Sequence, residues 1–261
     1  MLYYTTTGDA PGPPLLFLHA GNYSGPMWHD IAARLTGMRC IFVDLPGHGY
    51  SREIQLTSLE QAADAVAMVI ERGFESGPVN LVGLSFGGYV GLTLMIRHPH
   101  LIRRAMISGI HLGSIPNARA MNAFATVMSP LIQLRWVRRR LAEPLGITDP
   151  AIINRTDGRP NLTPRTMRAV LRLVSVFDVH DALPSISVPT LVIAGGNEHA
   201  TIVNSLDDFQ DAMQNCTART VPGMGHAWCN EDPRLFAQTA QAWCDEEPLP
   251  SQLDFVEAND I

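Results

Sequence analysis

Residues 79–82 (VNLV) run as an apolar stretch straight into Gly83-Leu84-Ser85-Phe86-Gly87, and a helical pattern follows. A serine between a strand end and a helix start is forced into a strained backbone that lifts its hydroxyl off the sheet. In so tight a turn, side chains two residues to either side would collide, which accounts for glycine at 83 and 87. The helix N-terminus adds free N–H groups and partial positive charge beside the hydroxyl. Ser85 is therefore the candidate nucleophile. A serine hydroxyl is a poor nucleophile near neutral pH and needs a base within hydrogen-bond reach. Nine histidines compete for that role. His226 has the setting for it. It follows the last predicted strand, at 218–221, on the Gly-rich loop Pro222-Gly223-Met224-Gly225-His226, at the end of the sheet where Ser85 also emerges. A neutral imidazole must present the right tautomer and be stabilised once protonated, which calls for a carboxylate behind it.

The elements that must position these groups are legible as short apolar runs at 15–18, 40–43, 79–82, 105–107 and 190–194, with 218–221 as the last strand. Continuous runs of this kind mark parallel strands covered by helices on both faces. Residues 2–5 read as one more strand, antiparallel at the edge. Between the runs lie helical patterns. Residues 61–72 put Ala62, Val66, Val69 and Ile70 on one stripe, with Ser58 and Gln61 as a capping box; residues 88–98 form a second helix, stopped by Pro99. The fold class is thus α/β: a doubly wound, mostly parallel sheet of about seven strands.

The alternation breaks between His111 and Leu183, a stretch with helical character and no strand-like run. It reads as an inserted all-helical cap at 112–183, with the core domain formed by 1–111 and 184–261. Met121, Phe124, Met128, Trp136, Met167 and Phe177 in this stretch mostly pack the cap onto the body. Met and aromatic side chains also suit an adaptable apolar pocket, and Met121 and Phe124 are the candidates for substrate contact. Arg135, Arg138, Arg139 and Arg140 read as a solvated helix face. The tail from Pro248 shows no periodicity and is expected to be loosely held.

Composition bounds the partners. With 261 residues, 46% hydrophobic and 17% charged, the chain is one globular unit with an insertion. A net charge of −6 and a pI near 5.8 give no reason to expect nucleic acid or an anionic membrane as partner. The opening residues carry no readable signal peptide, and no window reaches the ~18 apolar residues of a membrane span. Cys40, Cys216, Cys229 and Cys244 lack CxxC spacing and are expected to be reduced, as in a cytoplasm. The scattered histidines give no metal-site spacing, so neither a metal nor a cofactor is expected.

The motifs together resemble the α/β-hydrolase superfamily. Phe17-Leu18-His19-Ala20-Gly21 is similar to its strand-end HG motif, with Trp28 at the usual offset. Residues 43–51 (VDLPGHGYS) are similar to its DxPGxGxS turn, residues 189–195 to the strand leading to the acid, and residues 222–226 to the histidine loop. The likeness covers residues 2–111 and 184–245 and leaves the cap unmatched. It implies that the acid stands four residues into the loop Gly195-Gly196-Asn197-Glu198, where glutamate replaces the more usual aspartate and must fold back or shift its loop. The alternative position, after the run at 105–107, holds Ser108-Gly109-Ile110-His111 and offers no carboxylate. Asp207 and Asp208 read as a solvated helix face. The resemblance also implies that His19 braces its turn, that His48 belongs to the structural PGHG turn, and that backbone N–H groups of Gly21 and Phe86 form an oxyanion hole. Asn22 either adds an amide donor or shapes the turn. Trp28 joins it as a candidate substrate contact.

The implied activity is cleavage of a carboxylic ester, lactone or thioester of a small, largely apolar substrate, by a monomer or homodimer. C–C bond hydrolysis, a lyase step or perhydrolysis on the same three residues, or a ligand receptor built on the hydrolase shell, are the alternatives.

Overall fold

The computed structural model describes residues 1–256 apart from 22, 75–76, 114–121, 124–125, 127–128, 135, 138–139 and 141–162. Its frame is a single sheet of eight strands: β1 (Tyr4–Thr7), β2 (Leu15–Leu18), β3 (Cys40–Val43), β4 (Val79–Leu84), β5 (Ile102–Ser108), β6 (Thr190–Gly195), β7 (Cys216–Val221) and β8 (Asp254–Phe255). The order across the sheet is β1-β3-β2-β4-β5-β6-β7-β8. The central strands are parallel, and only β1 and β8 run antiparallel, one at each edge.

Among the described residues, five longer helices accompany the sheet: α1 (Leu59–Gly73), α2 (Phe86–Arg97), α3 (Pro164–Ser175), α4 (Ala200–Ala212) and α5 (Pro233–Asp245). The Ser58 hydroxyl caps α1 by accepting from Gln61 N–H at 3.1 Å, and Thr163 caps α3 in the same way. Every residue of β2, β3, β4 and β6 is buried, as continuous apolar runs require. Two hydrophobic clusters fill the two faces. One holds α1, α2 and the apolar side chains of α4 against the sheet, and Val170 and Phe177 belong to it. The other is built on Phe17, Trp28, Phe42, Trp228 and Phe236.

Strand register aligns the carboxyl ends. Leu18 lies beside Gly83, Leu84 beside Ser108, and Gly195 beside Val221. The loops that follow β2, β4, β5, β6 and β7 therefore open on one rim.

Three expectations need correction. The edge strand begins at Tyr4, and Leu2 is buried in the core instead. Helix α2 starts at Phe86, immediately after Ser85. The tail is not loose through its length: Leu253 is buried, β8 pairs with β7, and the Arg219 guanidinium lies 4.0 Å above the Phe255 ring. A two-residue strand carries no period to read, so this eighth strand was invisible to patterning. Within the stretch from 112 to 183, described pieces are helical: a 3₁₀ turn at Ser129–Gln133 and α3.

If the tail is seated as described, Leu253→Ala should lower the unfolding free energy by about 2–4 kcal/mol, the usual cost of emptying a buried leucine site. Urea denaturation checks this, and a change near zero would mean that the tail contributes nothing.

Candidate active site

Ser85 has φ 52° and ψ −120°, a left-handed backbone rare for a residue with a side chain and costing on the order of 1–3 kcal/mol. Two close approaches impose it. A Cβ at residue 83 would sit 2.6 Å from the Gly87 carbonyl oxygen, and one at residue 87 would sit 2.1 Å from that of Leu18. The turn is further fixed by Ser85 N–H donating to Ser108 O at 2.8 Å, and by Gly88 and Tyr89 N–H donating to Ser85 O. Because α2 begins at residue 86, the Phe86 N–H is one of the free donors at its N-terminus.

His226 and Glu198 come together across two loops laced to one another. Gly196 N–H donates to Val221 O at 2.8 Å, Asn197 N–H to Met224 O at 2.8 Å, and the Asn197 amide to Gly223 O at 2.8 Å. On this frame His226 Nδ1 lies 2.6 Å from Glu198 Oε2. The longer glutamate is accommodated by folding back, its Oε1 accepting from Gly195 N–H at 2.9 Å. The Glu198 side chain is 0% exposed and that of His226 41%. The carboxylate is thus shielded while the ring keeps one edge open. With Nδ1 donating to the carboxylate, Nε2 is the nitrogen left to accept a proton.

Gly109 presses on this pair from β5. It has φ +67°, and a Cβ there would lie 2.8 Å from His226 Cε1. Trp228 Nε1 donates to Ser108 Oγ at 2.9 Å, tying the histidine loop to the same strand end. Sequence reasoning treated residues 108–111 only as an empty acid position and missed this packing role; the glycine right after an apolar run was the available signal.

The rim near β2 is set by two imidazoles. His19 Nδ1–H donates to Ala20 O at 2.9 Å, and its Nε2 accepts from Leu45 N–H at 2.9 Å. The Tyr23 N–H also donates to Ala20 O. Since the peptide is trans and planar, a carbonyl held on that side turns the Gly21 N–H the opposite way. His48, 4.9 Å from His19 between ring centroids, lies with Nε2 2.7 Å from Gly21 O. Burial pulls His19 down to about 4 and His48 to about 3, so both rings are neutral at ordinary pH.

Ser85, His226, Gly21 and Phe86 line one cavity of about 200 Å³. Its remaining wall is mostly apolar, with Met27, Met167, Val170, Leu171 and Val174 among the lining residues and Asn230 adding a polar group. Trp28 does not line it. That residue is fully buried between Phe17 and Phe236, with ring centroids 5.1 and 5.5 Å away, and its neighbour Met27 takes the cavity position. Asn22, Met121 and Phe124 lie outside the described residues, as do Met128, Arg135, Arg138 and Arg139; Trp136 is exposed. Among the described residues, no group of three or more potential ligands could hold a metal ion, and no helix is long and apolar enough to cross a membrane. All four cysteines are free.

A family model described as alpha/beta hydrolase matches residues 15–239. The chain belongs to the alpha/beta hydrolase family. Relatives of this alpha/beta hydrolase include the pimeloyl-[acyl-carrier protein] methyl ester esterase of Nitrosomonas europaea, 26% identical over 255 residues, covering 87% of this chain and 92% of the relative. The esterase of the same name from Vibrio cholerae is 28% identical over 74% of this chain and 78% of its own length. Among solved structures, a thermophilic esterase from Thermogutta terrifontis superposes with a TM-score of 0.75 at 21% identity, covering 94% of this chain and 93% of that one. At that identity the likeness speaks for the fold.

The two neutral imidazoles make stability depend on pH. Below a pH of about 6.5 the unfolded chain protonates both rings, whereas the folded chain does so only near 4 for His19 and 3 for His48. Stability contributed by their neutral burial is therefore complete above pH 6.5 and falls as acid is added, by on the order of 3 kcal/mol for His19 at pH 4. Chemical denaturation across this range should show the decline, and it should flatten in a His19→Gln variant; an unchanged slope in that variant would refute the assignment.

Proposed function

We propose that the protein is a serine hydrolase that cleaves carboxylic esters of small, largely apolar substrates through an acyl-enzyme. The observation that carries this reading is the 2.6 Å contact of His226 with the buried Glu198, on the same cavity as Ser85 in its strained turn.

In this mechanism His226 Nε2 takes the proton of Ser85 Oγ as the oxygen attacks the ester carbonyl carbon. The carbonyl electrons move onto oxygen, and the oxyanion accepts from the N–H groups of Gly21 and Phe86. Losing one such donor costs on the order of 3 kcal/mol of transition-state stabilisation. The tetrahedral species collapses, the C–O bond to the alcohol breaks, and His226 returns its proton to the departing alkoxide. A water molecule, deprotonated by the same ring, then hydrolyses the acyl-serine. Glu198 never takes the proton; it holds the Nδ1–H tautomer and stabilises the imidazolium.

Ester cleavage is favoured because relatives along most of the chain are named as methyl ester esterases. The same acylation step serves lactones and thioesters. The apolar lining of the cavity supports a hydrophobic acyl or alcohol group. Residues 112–183 act as a helical cap over the site in this reading, supported by Met167, Val170, Leu171 and Val174 of α3 reaching the cavity.

Ser85→Ala should lower kcat for p-nitrophenyl butanoate by about four orders of magnitude or more with the fold intact, and Glu198→Gln by roughly three to four orders. Intact-mass spectrometry should trap an acyl adduct on Ser85 with a slow ester. Undiminished turnover by purified Ser85→Ala protein would end the proposal.

A further inference from the structure

His48 lies outside the loop after β2 and reaches into it. Its ring is fully buried and fixed by its own turn, where Gly47 and Gly49 have φ +81° and +48°. The His19 ring packs edge-on at 4.9 Å and the Phe86 ring lies 5.6 Å away. Nε2 is 2.7 Å from Gly21 O and Nδ1 is 3.0 Å from Pro46 O. A neutral imidazole carries one N–H. Placed on Nε2, the nitrogen with the shorter contact, it is donated to a carbonyl 27 residues away in the chain.

That carbonyl belongs to a residue with unusual freedom. Gly21 has no side chain to restrict its backbone, so the direction of its N–H must be imposed by neighbours. The peptide before it is held through Ala20 O, by His19 Nδ1–H and Tyr23 N–H. The peptide after it is held through Gly21 O, by His48. The Gly21 N–H belongs to the first of these planes; pinning the second fixes the rotations at the Gly21 Cα and so keeps the first plane, and the N–H in it, from swinging. We infer that His48 is a positioning residue for the oxyanion hole: its Nε2–H, by holding the Gly21 carbonyl, keeps the Gly21 N–H aimed at the oxyanion. The inference rests on the ester-hydrolase reading given above.

Two amide substitutions separate this role from simple packing. Glutamine at position 48 can present an N–H near the place of Nε2, whereas asparagine reaches only the place of Nδ1 and leaves Gly21 O unbonded. In His48→Asn, kcat for p-nitrophenyl butanoate should fall by roughly 10- to 100-fold, below the full loss of an oxyanion donor, with KM changed less than about twofold. The affinity for a trifluoromethyl ketone, which forms an oxyanion on Ser85, should weaken by the same factor as kcat/KM. His48→Gln should recover most of both. His48→Phe, which keeps ring volume without nitrogens, should match the asparagine variant and serves if the latter does not fold. The inference is overturned if ketone affinity is unchanged while kcat falls, if Gln and Asn variants are equally impaired, or if activity simply tracks the folded fraction. Ser85→Ala measured in parallel keeps the two claims apart: turnover surviving there sinks the ester-hydrolase reading, whatever position 48 does.

Discussion

The turn between β4 and α2 governs the rest of the site. With a left-handed serine at its apex and the Leu18 carbonyl 2.1 Å from where a Cβ of residue 87 would stand, this segment has no room to relax. The strain is local, but its support is not. It needs β2 on one side, through Leu18, and β5 on the other, through the Ser108 carbonyl. Strands buried on every residue, as β2 and β4 are, provide a frame stiff enough to hold an unfavourable backbone. The packed core stabilises a conformation that an isolated peptide would not keep.

The same rim solves a different problem for His226. A histidine on a Gly-rich loop has little intrinsic order, yet this one is confined by the buried carboxylate of Glu198, by Gly109 against its ring and by the lacing of its loop to residues 196–197. A glutamate suffices where an aspartate is more usual because the extra methylene is taken up by a fold back onto the Gly195 N–H. That bond occupies the second carboxylate oxygen, so neither oxygen is left bare in a buried site, as burial of a charge demands.

Much of this was legible in the residues. Fully buried parallel strands write themselves as unbroken apolar runs, and β2, β3 and β4 begin where those runs begin. Ser85 announced itself through glycines at both flanks, because the steric demand falls on residue type. Glu198 was reachable only through resemblance to a family, since nothing in Gly-Gly-Asn-Glu alone tells a buried acid from a solvated one. What patterning could not reach were facts of three-dimensional adjacency. Trp28 looked like a pocket residue by offset, but its large ring was claimed by the aromatic cluster of Phe17 and Phe236, leaving the cavity to the thinner Met27. The contact of residue 48 with residue 21 spans two loops and has no local signature. The edge strand β8 is too short for any periodicity.

That last element bears on how the molecule behaves among copies of itself. A parallel sheet ending at β7 would present an open row of N–H and C=O groups, a template onto which another chain could add a strand. Here the row is answered from within by two residues, Asp254 and Phe255, and the segment leading to them carries Pro248 and Pro250, which cannot donate in a ladder. So short a strand, with a carboxylate in it, offers little for a stranger to extend. Its worth lies at that border: it occupies the backbone beside Arg219 and Thr220 and so shortens the stretch of β7 onto which another copy could add a strand.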